Sequence, residues 1–332
     1  STGWQERIAP HEEQRFERRV PEFARFQRRV SQRHGNGRAL HRHAVLALHG
    51  VVDVYDGLPE HARHGLFAQP GRHDAVTRLS NASMHVQPDK VPDIRGFAIK
   101  VRDVSGPGAL GGETDEQDFV LINLPTFRLS SSDPFADVVI ARSKGNAAVV
   151  RHMLRRYGPF RFLRQARHGI ESLKWPFSGF LTEPFHSAAP LRCGPYAVRV
   201  RILPRDARPP AADARDDWAA DVRHRLAEGA AMFDVQLQFF VDESITPIED
   251  ASIDWPQDEA PYITVGRLTI PQQETTGAGY DRFAADVEAM SFDPWHALDD
   301  HRPLGEVMRA RRAAYYASVR ERRAAAGVTA AA

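Results

Sequence analysis

The sequence predicts an α+β fold in a single domain, with a large, mostly antiparallel sheet or barrel and flanking helices. Two groups of short apolar runs rich in Val, Ile and Phe, at 44–127 and 196–271, carry the strand signal. The clean alternation of polar and apolar residues in RVRI and QLQFF is typical of antiparallel strands with one buried face. Helical patterns at both ends and between the two groups indicate the flanking helices.

The predicted strands are bounded by Gly, Pro and Asp, which are residues that punctuate strands. In the first group the runs are AVLALHGVVDVY, GLFAQPG, DAVTRLSNAS, GFAIKVRDV and DFVLINLPTF. In the second group they are YAVRVRILP, MFDVQLQFFVD and YITVGRLTIP. Together these runs predict one large sheet or barrel.

Four segments have helical patterns: 11–34, 134–173, 211–229 and 306–326. The first mixes Arg and Glu with apolar residues at helical spacing, and Pro21 is expected to interrupt or restart it. The last is an Ala/Arg/Glu pattern without a helix breaker before Gly327, so it is a strong helix candidate. No internal repeat is present, which favours a single domain.

Composition limits the possible function classes. The chain has 332 residues, of which 42% are hydrophobic, so it can bury a substantial core. The 44 Lys and Arg residues against 43 Asp and Glu leave a net charge of +1, so we expect no nucleic-acid or anionic-lipid partner. No apolar run is long enough to span a membrane and no signal-peptide pattern is present, which predicts a cytoplasmic protein, with an excised leader left open. The single Cys193 excludes an internal disulfide framework and a Cys-rich zinc site.

A glycine pattern in the first strand group resembles a nucleotide-binding turn. Gly106, Gly108 and Gly111 form GxGxxG after the predicted strand GFAIKVRDV. The pattern runs into GETDEQD instead of an apolar helix, and this would place acidic side chains where a pyrophosphate must lie. We therefore interpret these glycines as a surface turn.

Close histidine pairs raise the question of a metal site. His41 and His43 form HxH, and His61 and His64 form HxxH. With 15 histidines in the chain such pairs arise by chance, and the HExxH motif of zinc hydrolases is absent. A zinc site is therefore an open alternative that nothing else in the sequence supports.

The C-terminal helical segment carries a sharper signal. Arg311 and Tyr315 are four residues apart, so on a helix they share one face and the guanidinium can approach the phenolic oxygen. A guanidinium at that position stabilises a phenolate, and tyrosinate is one of the few protein ligands of haem iron. The spacing alone is more typical of a charged surface helix that carries a tyrosine.

Five separated sequence blocks give this helix its context. In chain order they are Arg38-Ala-Leu-His41, Arg78-Leu-Ser80-Asn81, Asp93-Ile-Arg95-Gly96-Phe97-Ala98-Ile99-Lys100, Ile122-Asn123-Leu124-Pro125-Thr126-Phe127 and Arg311-xxx-Tyr315. This series resembles the haem catalase family, and most closely its small catalase-related peroxidase branch. The resemblance extends from about residue 38 to residue 320. It implies a catalase-like antiparallel β-barrel that binds haem b (iron protoporphyrin IX).

The resemblance also implies roles for individual residues. Three would form the catalytic side of the haem: His41 as acid and base, Asn123 as the peroxide-binding amide and Ser80 as the hydroxyl bonded to the histidine. Five would bind the cofactor: Phe127 beside His41, Tyr315 as the iron ligand, Arg311 as its partner, and Arg38 and Arg78 as partners of the haem propionates. A permanently charged, bidentate guanidinium suits a carboxylate.

Several positions depart from the family pattern. The residues after His41 are Arg-His-Ala, where catalases usually carry a small residue, a basic residue and Gly, and Leu79 replaces the common Phe. Tyr316 directly follows Tyr315 and has Arg312 four residues before it, so a shift of one residue would exchange the ligand. His49 is a rival for the catalytic histidine, but no Arg stands three residues before it.

The resemblance implies haem-dependent reduction of a peroxide through a ferryl intermediate. Because the chain is shorter than the large catalases, we expect wider access, a preference for organic hydroperoxides with a small organic electron donor, and weak hydrogen peroxide dismutation. Two alternatives stay open: rearrangement of a fatty acid hydroperoxide, as in allene oxide synthases, and a non-catalytic haem-binding protein. A homodimer is a reasonable assembly.

The resemblance also sets the expected domain boundaries. Residues 1–37 form a helical lead-in, residues 38–326 form the catalase-like haem domain, and residues 327–332 form an Ala-rich tail.

Overall fold

The computed structural model describes residues 1–127, 130–145, 147–155, 158, 177–206 and 214–325. Part of the helix predicted over 134–173, part of that predicted over 211–229, and the Ala-rich tail lie outside these residues. Within them, no helix is long and apolar enough to cross a membrane.

A closed antiparallel barrel forms the centre of the molecule. Its strands, with one short additional strand, are β1 (His43–Val54), β2 (Gly71–Asn81), β3 (Arg95–Pro107), β4 (Glu113–Ile122), β5 (Phe185–His186), β6 (Leu191–Cys193), β7 (Tyr196–Pro204), β8 (Ala231–Phe239) and β9 (Tyr262–Ile270). β5 pairs with both β4 and β7, and β1 pairs with β9, so eight strands close into a ring. β6 extends the sheet beside β7. All the pairings are antiparallel, which confirms the predicted sheet.

The barrel interior is filled by side chains that alternate along the strands. Val198, Val200 and Ile202 of β7 point inward and are at most 1% exposed. The opposite face of the same strand carries Arg199 and Arg201, which stack on aromatic rings outside the barrel. This alternation is the polar and apolar pattern of RVRI, and it makes the barrel a packed core that positions side chains at its edges.

Five labelled helices flank the barrel: α1 (Glu12–His34), α2 (Ser132–Arg142), α3 (Trp218–Glu228), α4 (Gly277–Ala289) and α5 (Glu306–Ala325). A further helical stretch covers 147–155. The helix predicted over 211–229 begins at Trp218, where the carboxylate of Asp217 accepts a hydrogen bond from the backbone N–H of Ala220 at 2.9 Å. Such a bond satisfies one of the free N–H groups at a helix start.

The prediction that Pro21 interrupts the first helix is wrong, because α1 continues through it. A proline in a helix removes one backbone hydrogen bond. Here α1 runs alongside α5, buries Phe16, Ala24 and Phe26, and bonds to α5 through Gln27, whose side-chain oxygen accepts from Ser318 Oγ at 2.7 Å. Tertiary packing of the apolar face therefore outweighs the local cost of the proline.

The GxGxxG pattern lies in the turn between β3 and β4. The N–H of Gly108 donates to the carbonyl of Gly112 at 2.9 Å, and the N–H of Gly111 donates to the carbonyl of Gly108 at the same distance. Gly111 has φ +89°, a conformation that favours glycine. The glycines thus serve a hairpin turn, as predicted.

Candidate active site

His41 lies at the edge of the barrel, two residues before β1 begins. Its Nδ1 is 3.0 Å from Ser80 Oγ on the neighbouring strand β2. The backbone at His41 has φ +51°, an uncommon value for a residue with a side chain, and its N–H donates to the carbonyl of Ala82 at 3.1 Å. The barrel edge therefore fixes both the backbone and the ring of His41.

Gly96 on β3 makes this arrangement possible. A Cβ atom on Gly96 would lie 2.6 Å from His41 Nδ1 and 2.7 Å from Ser80 Oγ, closer than atoms can approach. Gly96 pairs with Ser80 in the sheet and with Ile122 on the other side. The glycine of the D-x-R-G-F-A block is therefore required by the contact between the histidine and the serine.

Asn123 follows directly after β4 at the same edge. Its side-chain Oδ1 accepts a hydrogen bond from the backbone N–H of Arg95 at 2.8 Å, and its own N–H donates to the Arg95 carbonyl at 3.1 Å. No other described residue bonds to the Asn123 NH₂ group, so it remains available as a donor. Because β1 to β4 pair in sequence, His41, Ser80, Gly96 and Asn123 lie in a row across four strand ends.

A buried polar network supports this row from behind. The side-chain oxygen of Asn81 accepts a short hydrogen bond from Arg95 Nη1, and its NH₂ donates to Asp89 Oδ1 at 2.9 Å. Arg95 Nη2 also donates to the carbonyl of Asp89 at 2.7 Å. Asn81 and Arg95 are at most 2% exposed, so the network fixes the strand ends firmly.

The ring of His41 is neutral at ordinary pH. Burial lowers its pKa to about 3, and the positive charges of Arg78, Arg311 and Arg38 act in the same direction. The residue as a whole is half-buried, so protein does not enclose it completely. A neutral ring that borders open space can accept a proton from a bound molecule.

The second part of the candidate site is α5. A cluster of ion pairs holds the start of this helix in place. Arg309 bonds to Glu12 Oε1 at 2.6 Å and to Glu249 Oε2 at 3.0 Å, and it makes a further short bond to Glu6. The indole N–H of Trp295 donates to the Met308 carbonyl at 2.9 Å. These contacts set the direction in which α5 leaves the barrel.

Arg311 and Tyr315 meet as their spacing predicts. Arg311 Nη2 donates to Tyr315 Oη at 2.8 Å, and Arg311 Nη1 lies 3.3 Å from Met308 Sδ. Tyr315 is half-buried, whereas Tyr316 is 60% exposed and contacts Arg320. The geometry favours Tyr315 over Tyr316 as the functional tyrosine.

Phe127 is expected beside His41, but its ring packs on the α5 side. The guanidinium carbon of Arg311 lies 5.5 Å from the ring centroid, and the ring adjoins the cluster that contains Ala251 and Met308. The N–H of Phe127 donates to the Ala251 carbonyl at 2.9 Å, which draws the chain after Asn123 towards α5. Phe127 thus contacts the arginine that bonds to Tyr315, and its role on the His41 side of the haem stays a prediction.

Arg38 and Arg78 form a third group with a residue that the sequence analysis missed. Glu288, at the end of α4, accepts from Arg38 Nη1 at 2.5 Å and from Arg78 Nε at 2.9 Å. Arg78 Nη2 also donates to the carbonyl of His41 at 2.9 Å. The two arginines therefore lie next to the histidine with their charges partly neutralised.

Arg322 on α5 completes this group and was also missed. Burial and the charges of Arg38 and Arg78 together lower its pKa to about 10, although Glu288 acts in the opposite direction. Its Nε is buried without a partner among the described residues. The sequence did contain one indication of Arg322: it lies seven residues after Tyr315. Seven residues are about two turns of an α-helix, so the two side chains lie on the same face of α5.

The three groups lie close together, because the charge of Arg311 reaches the His41 ring and Arg78 bonds to the His41 backbone. α5 packs mainly along α1, and among the described elements no strand packs closely against it. Together they supply a phenol, a neutral imidazole and a surplus of buried guanidinium groups, which match the iron, the peroxide side and the carboxylates of haem. The unpartnered Arg322 Nε is a group that such a carboxylate would satisfy. The residues present therefore fit haem.

The remaining histidines that the sequence analysis considered make local contacts. His43 bonds to Asn81, His61 and His64 pack against the ring of Tyr196, and the exposed His49 stacks on Phe283. Within the described part of the chain, no three His, Cys, Asp or Glu residues converge as a metal site.

Comparison with known proteins identifies solved structures with a similar fold. No protein-family model matches the sequence, and no curated protein matches it. Solved structures do match: a fungal catalase (18% identity, TM-score 0.65), a bacterial catalase (19%, 0.64) and catalase A from Saccharomyces cerevisiae (19%, 0.63). Each match covers 86% of this chain and 59%, 57% and 61% of the respective catalase.

The chain therefore has the catalase fold, a closed eight-stranded antiparallel barrel with flanking helices in a single domain. It spans about three fifths of the length of the catalases that it matches. The expected fold class is confirmed, while the small-branch detail stays a prediction.

Replacing Gly96 by Ala tests the contact between His41 and Ser80. We expect the free energy of unfolding to fall by about 1–3 kcal/mol, because the added methyl group collides with both side chains. Gly279→Ala on α4 is the matched control, since a Cβ there meets nothing within 4 Å, and it should stabilise the helix by about 0.5–1 kcal/mol. Urea unfolding of both variants measures the difference. Equal effects of the two substitutions would contradict the assignment.

Three histidines make stability depend on pH. Burial lowers the pKa of His41 and His186 to about 3 and that of His301 to about 4, against an ordinary value of 6.5. Below pH 6.5 the unfolded chain binds protons that the folded protein does not. The free energy of unfolding therefore decreases as pH falls, by up to about 1.4 kcal/mol per pH unit for each histidine.

The contribution of one histidine can be isolated by substitution. Three buried carboxyl groups have raised pKa values and act in the opposite sense: Asp93, Glu183 and Asp293. The measurement is therefore the difference between the parent protein and His301→Gln in urea unfolding at pH 7, 6 and 5. His301→Gln should flatten the pH dependence, and identical slopes would refute the prediction.

Proposed function

We propose that the protein is a haem-dependent peroxidase that reduces organic hydroperoxides with a small organic electron donor and dismutates hydrogen peroxide only weakly. The observation that carries the proposal is the 2.8 Å bond from Arg311 to Tyr315, because the same Arg311 lies near enough to the His41 and Ser80 pair for its charge to act on the His41 ring. The catalase fold supports a haem oxidoreductase of this general class.

The helix side would hold the cofactor. Tyr315 Oη would ligate the iron, and Arg311, fixed by Met308 and Phe127, would stabilise its phenolate form through charge and a hydrogen bond. Arg38, Arg78 and Arg322 would bind the two propionate groups, a task that suits bidentate donors of permanent charge. When bound, haem b supplies the redox chemistry that breaks the peroxide O–O bond.

The barrel side would move the proton. Ser80 Oγ holds His41 Nδ1 and so orients the ring, and no described residue bonds to Nε2. A neutral Nε2 can take the proton from the hydroperoxide oxygen and return it to the leaving oxygen. The NH₂ group of Asn123, whose oxygen is held by the Arg95 N–H, can donate to the bound peroxide.

The preference for organic hydroperoxides and for an organic donor rests on the resemblance of the five sequence blocks to the small catalase-related branch. A cytoplasmic location and a homodimer are part of the same proposal. The low pKa of His41 adds one consequence for rate: because the ring stays neutral far below pH 6.5, activity should not decline with a pKa near 6.5 on the acid side.

Turnover assays on the haem-loaded protein test the function. We expect an alkyl hydroperoxide with a phenolic donor to be turned over faster than hydrogen peroxide alone, by at least about tenfold. His41→Ala should lower that rate by about a hundredfold or more while the Soret band remains, because proton transfer by a positioned base contributes 10²–10⁴-fold. His49→Ala on the exposed barrel surface is the matched control and should keep full activity.

Three results would each overturn part of the proposed activity. Vigorous hydrogen peroxide dismutation would contradict the proposed preference for organic hydroperoxides. Conversion of a fatty acid hydroperoxide to a rearranged product without any donor would identify an isomerase instead. Unchanged rates in His41→Ala would identify a haem-binding protein that does not use this histidine.

The iron ligand is tested by a pair of adjacent substitutions. Tyr315→Phe should abolish the tyrosinate-type absorption spectrum and lower haem retention, because it removes the oxygen that would ligate iron. Tyr316→Phe alters an exposed ring and should leave the spectrum unchanged. Spectra of the two reconstituted variants decide the matter, and a spectral change confined to Tyr316→Phe would move the ligand by one residue.

A further inference from the structure

Glu288 bonds to two arginines of the proposed haem site, but the proposed reaction assigns it no role. Its two carboxylate oxygens bond separately to Arg38 and Arg78, and its backbone carbonyl accepts a second bond from Arg38 Nη1 at 2.8 Å. Arg78 is only 3% exposed, and the Glu288 side chain is 37% exposed. One carboxylate thus bridges the two arginines that border the His41 segment.

The charges in this group do not balance. Arg38, Arg78 and Arg322 contribute three positive charges and Glu288 contributes one negative charge, which leaves a surplus of two. Burial and mutual repulsion lower the pKa of Arg78 and Arg322 to about 10. Unbalanced positive charge in a partly buried site is unfavourable, so the group is suited to a ligand that brings two negative charges.

We propose that Glu288 is a built-in counter-ion that holds Arg38 and Arg78 in position and limits the arginine group to a surplus of two charges, so that the site selects a porphyrin with two carboxylates. This inference rests on the proposed function, because it takes the space beside α5 as the haem site. Glu288 is a positioning and specificity residue, and it contacts neither the iron ligand nor the catalytic histidine.

The substitution Glu288→Gln keeps the shape of the side chain and raises the surplus charge to three. The test titrates the full-length haem-free protein with three iron porphyrins and follows the Soret band: protoporphyrin IX, its dimethyl ester and coproporphyrin III, which carry two, no and four carboxylates. The ratio of affinities for the four-carboxylate and two-carboxylate porphyrins is compared between parent and variant, so that differences in porphyrin shape cancel.

We expect this ratio to rise on the order of tenfold in Glu288→Gln, the size expected for one added charge close to the extra carboxylates. Binding of the dimethyl ester should change much less. Asp286→Asn, an exposed residue on the same helix, makes the same change in charge away from the arginines and should leave the ratio unchanged. An unchanged ratio in Glu288→Gln would overturn the proposal.

Arg322→Gln provides an independent variant in case Glu288→Gln does not fold. It lowers the surplus to one and should shift the ratio in the opposite direction, below that of the parent. A ratio equal to or above that of the parent would count against the proposal.

A melting experiment separates this inference from the proposed function. Without porphyrin, Glu288→Gln should melt at a lower temperature than Asp286→Asn, because two partly buried arginines lose their carboxylate. If the parent binds none of the three porphyrins, the proposed function fails, whatever the melting result. If the parent binds haem but the melting temperatures of the two variants are equal, the role of Glu288 fails alone.

Discussion

The site depends on one steric constraint, the close approach of three strands at the edge of the barrel. Gly96 has no side chain, so the His41 ring can lie over β3 and meet Ser80 on β2. The successive pairing of β1 with β2, β2 with β3 and β3 with β4 is then enough to bring Asn123 to the same edge. A barrel that is rigid because its interior is packed thus delivers a histidine, a hydroxyl and an amide in one row.

Charge distribution follows from the same geometry. Burial is the main reason that the pKa of His41 is low, and the positive charges of Arg78, Arg311 and Arg38 lower this pKa further, so the ring stays neutral. The protein tolerates this concentration of charge because Glu288 bridges two of the guanidinium groups and Tyr315 accepts from a third. The fold and the electrostatics are therefore both compatible with the proposed site for an anionic cofactor next to an uncharged base.

The sequence predicted what depends on local periodicity or on motif order. Alternation in RVRI located β7, and a spacing of four located the contact between Arg311 and Tyr315. The role proposed for His41 rests on the resemblance, because nothing in its neighbouring residues distinguishes it from His43 or His49. The sequence did not reveal Glu288 and Arg322 as residues of the site, because their partners are distant in sequence. The helix break predicted at Pro21 was wrong because the prediction used local helix propensity and did not include the surface of α5 on which α1 packs. The place of Phe127 depended on a loop contact with Ala251 that no pattern records.

The contact between α1 and α5 has a consequence for biogenesis. The amino-terminal helix leaves the ribosome early, while the helix that carries Tyr315 follows only after the whole barrel has been synthesised. Until then, the apolar face that includes Phe16, Ala24 and Phe26 has no α5 to cover it, and the two halves of the site cannot meet. Insertion of the proposed cofactor would therefore follow the synthesis of α5, and a nascent chain stalled within β9 would leave the apolar face of α1 uncovered by α5.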